Sequence, residues 1–356
     1  MSRDRRLLPN DPFFKIDLRA VSRLRSLEIQ LSPNSIEDIT LQLSHPAPLL
    51  ESLTMEFNLN RPLLCPEIPT TLFDGDLSSL RELDLRYVRT KLPWRNMVNL
   101  TSFALMFVPP GFISVTQLLD FFESAPHLRE IGLSSVPLVH GERNERVLSL
   151  TSLKKFIVRG SQQTSPLIGH LSIPVGASLE TRIEQHSRIE DHLPRSLENL
   201  QNFLNFSQVL FHVEKWSWEI QLTGPNGHAH IASNNSLVFM SVLVPEFLIW
   251  FKTSTIDRLE VTNTTNLARN VIFQLLLPMR ALRTLTIAGR ETLAPFISAL
   301  DPDMNPQNTP VCPRLKELVI RTNGEKGLNV DNVMRMRVAR ARRGAKLESV
   351  RIVGGG

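Results

Sequence analysis

The hexapeptide LRELDL, Leu80 to Leu85, carries leucine at its first, fourth and sixth positions. A half-buried strand alternates at period two and an amphipathic helix repeats at three and four, so this spacing belongs to neither. The same apolar pattern starts at Leu24, Leu50, Leu100, Leu128 and Leu153, and again at Phe206, Ile256, Leu282, Leu315 and Leu347. Successive starts lie 26, 30, 20, 28, 25, 53, 50, 26, 33 and 32 residues apart, and each of the two long intervals is close to two ordinary ones. One such match means little in a leucine-rich chain; eleven at a near-regular interval make a repeat.

A Leu-x-x-Leu-x-Leu unit returning every 20–29 residues or so marks a leucine-rich repeat. The fourth and sixth residues lie on one face of a short strand and point into a core, while the third, fifth and seventh point to solvent. The first enters the core from the preceding turn. One unit cannot bury its own apolar face, so neighbours stack and their strands join a parallel sheet. The fold class is therefore α/β: a leucine-rich-repeat solenoid, or horseshoe, with a parallel concave sheet and convex helices.

The linkers supply those helices. SVTQLLDFFESAP, Ser114 to Pro126, opens with a capping-box pattern, Ser114 with Gln117. Its apolar residues Val115, Leu118, Leu119, Phe121, Phe122 and Ala125 share one helical arc. The segment NSIEDITLQLSHPAP ends on Pro46 and Pro48 in the same way, and CPRLKELVI repeats the ending. The unit reads helix, proline, strand. The middle departs from this. SLETRI, Ser178 to Ile183, fills the place of the next strand with Arg182 at the apolar fourth position. From Phe206 the chain reads as strands alone, with WSWEIQL alternating at period two and GPNG, Gly224 to Gly227, as a turn. The expected organisation is one leucine-rich-repeat domain over 1–356: a partly ordered lead-in at 1–23, a first repeat block at 24–205, a β-meander at 206–232 and a second block at 233–356.

Two cysteines, Cys65 and Cys312, provide neither a disulfide framework nor a metal cluster, which favours a reducing compartment. The N-terminal stretch MSRDRRLLPNDPFF has no apolar core of a secretory signal. An intracellular protein, cytoplasmic or nuclear, is expected. SLVFMSVLVPEFLIWF, Ser236 to Phe251, is too short for a membrane span, which needs about 20 apolar residues, and contains Pro245 and Glu246. It reads as a buried helix, and no membrane partner is expected. The net charge of +5 is small for 356 residues.

Much of that charge sits in RMRVARARR, Arg335 to Arg343. As a nucleic-acid patch it would be sequence-independent glue. However, Val330, Val333, Met334, Val338 and Ala341 form a helical stripe that leaves Arg335, Arg340, Arg342 and Arg343 outside it, with Arg337 intruding. A strand motif, LESVRI, follows. The pattern predicts the convex helix of the last repeat with a solvated basic face, and argues against nucleic acid as the partner. His228 and His230 in GHAHI can share one side of a strand, with His212 as the nearby third nitrogen, but no third ligand stands at a recognisable spacing. No phosphate loop, nucleophile elbow or Cys–His signature is present in the sequence. No enzyme, no metal and no cofactor are expected; a metal-dependent hydrolase on the histidine pair is the weakest alternative.

The candidate site is instead the solvent-facing side of the strands. The register places Glu28, Glu56, Glu82, Asp84, Arg86, Met106 and Glu130 there, then Lys155 and Arg159, and in later repeats Arg258, Glu260 and Arg321, with Thr286 and Val319 between them. The early strands lean acidic, an asymmetry that would steer a partner of complementary charge.

The stretches LPWRNMVNLTSFAL, FISVTQLLDFFESAPHLREIGL, IPVGASL and IEDHLPRSLENL, together with a basic helix followed by LESVRIVGGG, resemble segments of the leucine-rich-repeat F-box proteins of mushroom-forming fungi. The resemblance runs from about Leu24 to the end. It implies the substrate-recognition part of a cullin-based (SCF) ubiquitin ligase, in which an N-terminal F-box grips the Skp adaptor and the repeats hold a target protein. Only 23 residues precede the first repeat, and they lack the F-box pattern. The expectation is thus a protein-binding solenoid for an unidentified target, with the Skp adaptor engaged only by a longer form that carries an F-box. The alternative is a free-standing repeat scaffold unrelated to ubiquitination.

Overall fold

The computed structural model describes residues 22–31, 43–57, 67–68, 72–91, 96–139, 146–160, 165–184, 188–200, 205–234, 240–263, 268–305, 309–322 and 330–354. The lead-in up to residue 21, the helix expected at 34–42 and Cys65 lie outside them. The chain forms two compact units, Met1–Glu180 and Thr181–Gly356. Both are α/β, built on a mostly parallel sheet.

The first unit contains strands β1 (Ser26–Leu31), β2 (Ser52–Phe57), β3 (Glu82–Arg86), β4 (Ser102–Met106), β5 (Glu130–Ser134) and β6 (Lys155–Gly160). Each pairs in parallel with the next, motif on motif, so that Leu27, Leu53, Leu83, Phe103, Ile131 and Phe156 form one buried row. The sixth positions, from Ile29 through Leu85 to Val158, form a second. Leucine at position one is explained by the turn before each strand. Leu50, Leu80, Leu100, Leu128 and Leu153 each donate their N–H to the carbonyl three residues earlier, at 3.0–3.2 Å. The turn points both of its ends inward, so the residue three before the leucine is buried as well: Ala47, Leu77, Met97, Ala125 and Leu150. The next residue's carbonyl then accepts two N–H groups from the following repeat; the Glu51 carbonyl, for example, takes those of Arg81 and Glu82 at 2.8 and 3.0 Å. A turn whose polar groups are all paired can be stacked without loss.

Helix α1 (Val115–Ser124) lies between β4 and β5 with the predicted capping box: the Gln117 N–H donates to Ser114 Oγ at 3.1 Å, and the Ser114 N–H to Gln117 Oε1 at 2.9 Å. Its Phe121 and Phe122 close on Phe103, with the Phe103–Phe121 centroids 4.5 Å apart. Elsewhere in the described residues of this unit, parallel two-residue ribbons, such as Ile113–Ser114 with Leu138–Val139, take much of the helices' place. Leu83 is fully enclosed in this core. Leu83→Ala should cost about 3 kcal/mol in chemical denaturation, as truncated core leucines do, whereas Asp84→Ala should cost about 0.5 kcal/mol. Equal effects would mean the register is wrong.

The chain enters the second unit within β7 (Ser178–Ile183). Here the sequence register needs correction. Leu179, Thr181 and Ile183 point inward, and Arg182 is on the other side. A threonine is tolerated at the inward position because its hydroxyl has a buried partner, His192 Nδ1, at 2.9 Å. Strands β8 (Gln208–Val213), β9 (Ser217–Gly224) and β10 (Gly227–Asn234) form the expected meander, antiparallel throughout. Its first strand also restarts the parallel stack, pairing with β11 (Arg258–Asn263), which continues to β12 (Thr284–Ala288), β13 (Glu317–Thr322) and β14 (Ser349–Gly354). The first long sequence interval therefore hides a repeat strand, β7, and the second is filled by the β9–β10 hairpin.

Four helices precede those strands: α2 (Met240–Trp250), α3 (Arg269–Leu276), α4 (Arg290–Leu300) and α5 (Val330–Arg342). Consecutive ones touch. The apolar run expected as a buried helix is α2, which buries Met240, Leu243, Val244 and Phe247 but leaves Ile249 79% exposed. In α5 the expected stripe is rotated. Val333, Met336, Ala339 and Arg340 are buried, while Val330, Met334, Val338 and Ala341 are exposed. The cause is Arg340, which turns inward because its guanidinium finds backbone carbonyls there: Leu300, Val311 and Cys312, at 3.4, 2.8 and 2.9 Å. Among the described residues, no helix is long and apolar enough to cross a membrane.

Candidate functional site

Parallel pairing in register brings the residues between the motif leucines into rows on the solvent-facing side of each sheet. In the first unit one row is Glu28–Thr54–Asp84–Ala104–Gly132–Ile157, and the next is Gln30–Glu56–Arg86–Met106–Ser134–Arg159. Glu28, Glu56, Asp84 and Arg86 thus meet. Arg86 grips the Asp84 carboxylate through Nε at 3.1 Å and Nη2 at 2.6 Å, and its Nη1 lies 3.6 Å from Glu56. The hydrogen bonds to Asp84 and the charges of Asp84, Glu56 and Glu28 raise the pKa of Arg86 above the ordinary arginine value. Three carboxylates against one guanidinium leave this cluster acidic. Glu82 and Glu130 flank it in the row Ser26–Ser52–Glu82–Ser102–Glu130–Lys155. Arg159 pairs with Glu180 at 2.7 Å, so it is less available than the sequence implies.

The strands of this face end on an unforeseen feature. Tyr87, Phe107 and Ser135, the residues just after β3, β4 and β5, have φ of 58°, 57° and 50°. Gly160 takes the left-handed place at the end of β6 with φ 139°, where a side chain would meet the Ser135 backbone at 2.8 Å. Each of the three donates its N–H to the last-row residue of the next strand, as Tyr87 does to the Met106 carbonyl at 2.9 Å. A left-handed residue other than glycine costs roughly 1–2 kcal/mol. In return, the Tyr87 and Phe107 rings stack at 4.5 Å and 5°, close to the strand spacing itself. Phe107 is 40% exposed beside Met106. Backbone held in unfavourable regions concentrates at functional surfaces, and stacked aromatics beside arginine are the usual anchors of protein interfaces.

In the second unit Arg321 and Glu260 form an ion pair across the intervening β12. Thr286 and Val319, expected to face solvent, are instead buried, with only 8% and 7% of their surface exposed. They occupy the Glu260 row, with the charged pair above them and neighbouring strands on each side. Arg351 and Glu317 pair similarly. Arg258 remains exposed at the rim of a shallow pocket of about 300 Å3 with Gln208, Gln221 and Thr284. Of the twelve proposed residues, Glu28, Glu56, Glu82, Asp84, Arg86, Met106 and Glu130 lie together in the first unit with Lys155 and Arg159 on β6, whereas in the second unit Glu260 and Arg321 pair and Arg258 stands exposed.

His228 and His230 share the outer side of β10, but each has its own neighbour: Thr223 Oγ1 lies 3.3 Å from His228 Nδ1, and Glu219 Oε1 lies 3.1 Å from His230 Nε2. His212 is 3.1 Å from Glu214. Among the described residues no group of three or more His, Cys, Asp or Glu is placed to hold a metal ion. The Cys312 thiol is buried, donates to the Leu276 carbonyl at 3.2 Å and has its pKa pushed up to about 12 by burial. No family model matches this chain, and no curated protein matches it.

Proposed function

We propose that this chain is a non-catalytic leucine-rich-repeat solenoid whose concave sheet face binds a target protein, like the substrate-recognition part of an F-box protein. The observation that carries the reading is the segregation along each strand. Motif residues four and six are buried in ten of the eleven repeats, and in the first unit the residues between them line up on the opposite face, which carries its own charge and ends beside the exposed Phe107. The exception is β14, at the edge of the sheet, where Ile352 is 47% exposed. A surface of alternating pairs, an acidic cluster and a stacked Tyr–Phe anchor suits recognition of a basic, partly apolar protein surface.

The test is affinity capture with cross-linking, comparing wild type with the triple variant Glu28→Lys, Glu56→Lys, Asp84→Lys and with Glu348→Lys, an exposed residue away from that cluster. The triple variant should lose the captured protein and Glu348→Lys should keep it. Identical capture by all three would refute binding on this face. The Skp adaptor should co-purify only with a longer product that carries an F-box. If such a product fails to bind it, the chain is a free-standing repeat scaffold.

A further inference from the structure

The outer strands of the two units differ in how they end. β1 is an edge strand, yet its core residues Leu27 and Ile29 are buried. β14 is the outermost strand of the second unit, and its core side is open. Val350 and Ile352 continue the buried rows of Leu318 and Ile320, but Val350 is only half-buried, and Ile352 and its neighbour Val353 are nearly half exposed. The hydrogen bonds stop there as well. In the preceding repeats of this unit the carbonyl after the first-position residue takes two N–H groups of the next strand, as that of Lys316 takes those of Glu348 and Ser349 at 2.8 and 3.1 Å. The Glu348 carbonyl, next in the series, takes none among the described residues. The outer edge of a last strand also leaves alternate N–H and C=O groups unpaired. Proline and inward-pointing charge, which protect such edges, are absent from β14: its one charged residue, Arg351, lies on the sheet face and pairs with Glu317. Helix α5, which leads into this strand, is open too, with Val330, Met334 and Val338 exposed at intervals of four residues.

We propose that β14 is a docking edge for an extended segment of another protein, alternating aliphatic with acidic residues, which joins the stack as one further parallel strand. Strand addition takes its affinity from main-chain hydrogen bonds and its specificity from alternate side chains. The aliphatic residues cover Val350 and Ile352 and complete the two core rows. The residues between them fall on the sheet face beside Arg351, where a carboxylate makes the guanidinium a bridge to Glu317, as Arg86 bridges Asp84 and Glu56. The acidic character follows from the charge around this end. Arg337 and Arg342 of α5 and Lys346 after it form no ion pair among the described residues, and Asp331 is the one carboxylate on that helix. Arg335 and Arg343 are already engaged by Asp301 and Asp303, each at 3.6 Å. A second copy of this chain would set these cations against their own kind, whereas an acidic partner neutralises them.

This docking edge lies in the second unit and does not rest on binding at the sheet face of the first. The probe is a fluorescently labelled octapeptide alternating valine with glutamate, titrated against the purified chain by fluorescence anisotropy beside a twin with lysine in place of glutamate. The glutamate peptide should bind at least about tenfold tighter than its twin, through charge complementarity. N-methylation of alternate residues removes the N–H groups along one edge of the peptide. In one phase it should weaken binding at least about tenfold and in the other leave it unchanged, because an added strand pairs through one edge only. Ile352→Lys should abolish binding with little change in melting temperature, since the side chain stands at the open edge, and Arg351→Glu should shift the preference to the lysine twin. The Glu28/Glu56/Asp84 reversal should bind the peptide as wild type does. Equal binding of the two peptides, or the same effect of methylation in both phases, would overturn the edge. So would loss of the peptide in the Glu28/Glu56/Asp84 reversal, which would place it on the first unit's face. Dimerisation of the wild-type chain in sedimentation, abolished by Ile352→Lys, would also overturn it, because a second copy would then cover β14. If the peptide behaves as expected while that reversal leaves partner capture intact, the sheet-face reading falls and the edge stands.

Discussion

Arg340→Ala should destabilise the second unit by about 3–5 kcal/mol, the range for breaking a buried polar network and leaving a cavity. Arg340 is completely enclosed, and burial lowers its pKa from the ordinary arginine value. Its Nη1 donates to the Leu300 and Val311 carbonyls and its Nη2 to that of Cys312, while its buried Nε has no hydrogen-bond partner among the described residues. Leu300 is the last residue of α4, so the guanidinium satisfies a helix C-terminal carbonyl at the negative end of the helix dipole. Cys312 is left-handed with φ 48° and opens the turn that places Leu315 at the start of its motif. One side chain of α5 thus ties the end of α4 to the turn before β13. Alanine would leave the Leu300 and Val311 carbonyls buried without that donor, at about 1–3 kcal/mol per group, and remove the volume of the side chain as well. Arg340→Met restores most of the volume and should recover part of the loss; what remains measures the orphaned carbonyls. Arg342→Ala, two residues further along α5 and exposed, should change stability by about 0.5 kcal/mol or less. Urea denaturation of the three variants decides it. Wild-type stability in Arg340→Ala would mean that the arginine is a passenger.

The same residue shows where sequence reasoning stops. Leu83 and Leu85 were legible as core because burial of leucine is dictated by its own chemistry, and the period of the motif fixes which face they take. Arg340 was not, because a charge can be placed inside only by a set of carbonyls contributed by segments 28 to 40 residues away in the chain. Thr181 was hidden for the same reason: only its partner His192 makes an inward hydroxyl acceptable. Asp84 and Arg86 were recoverable from register, yet Tyr87 and Phe107 were not, since nothing in a tyrosine's identity announces a left-handed backbone.

Acid should weaken the second unit well before its carboxylates titrate in bulk, through His192. The ring sits at the end of the short helix Ile189–His192, fully buried, with Nδ1 2.9 Å from the Thr181 hydroxyl and its edge toward Trp218 at 5.4 Å between centroids. Burial pushes its pKa down to about 3 from an ordinary 6.5. The folded chain therefore keeps the imidazole neutral where the unfolded chain protonates it. Its contribution is intact above pH 6.5 and is lost progressively as pH falls towards 3, where the folded form at last takes the proton too. Each pH unit within that window is worth roughly 1.4 kcal/mol. Between pH 7 and pH 4.5 the loss should thus approach roughly 3 kcal/mol, enough to matter in a domain of marginal stability. His192→Gln retains a side chain able to hydrogen-bond Thr181 and cannot take up a proton. It should start less stable at pH 7, through imperfect packing against Trp218, but lose less on acidification. Carboxylate effects are common to both proteins, so the difference between their stability–pH curves isolates the histidine. Parallel curves from pH 7 to 4.5 would show that His192 is not held neutral and that water reaches its ring.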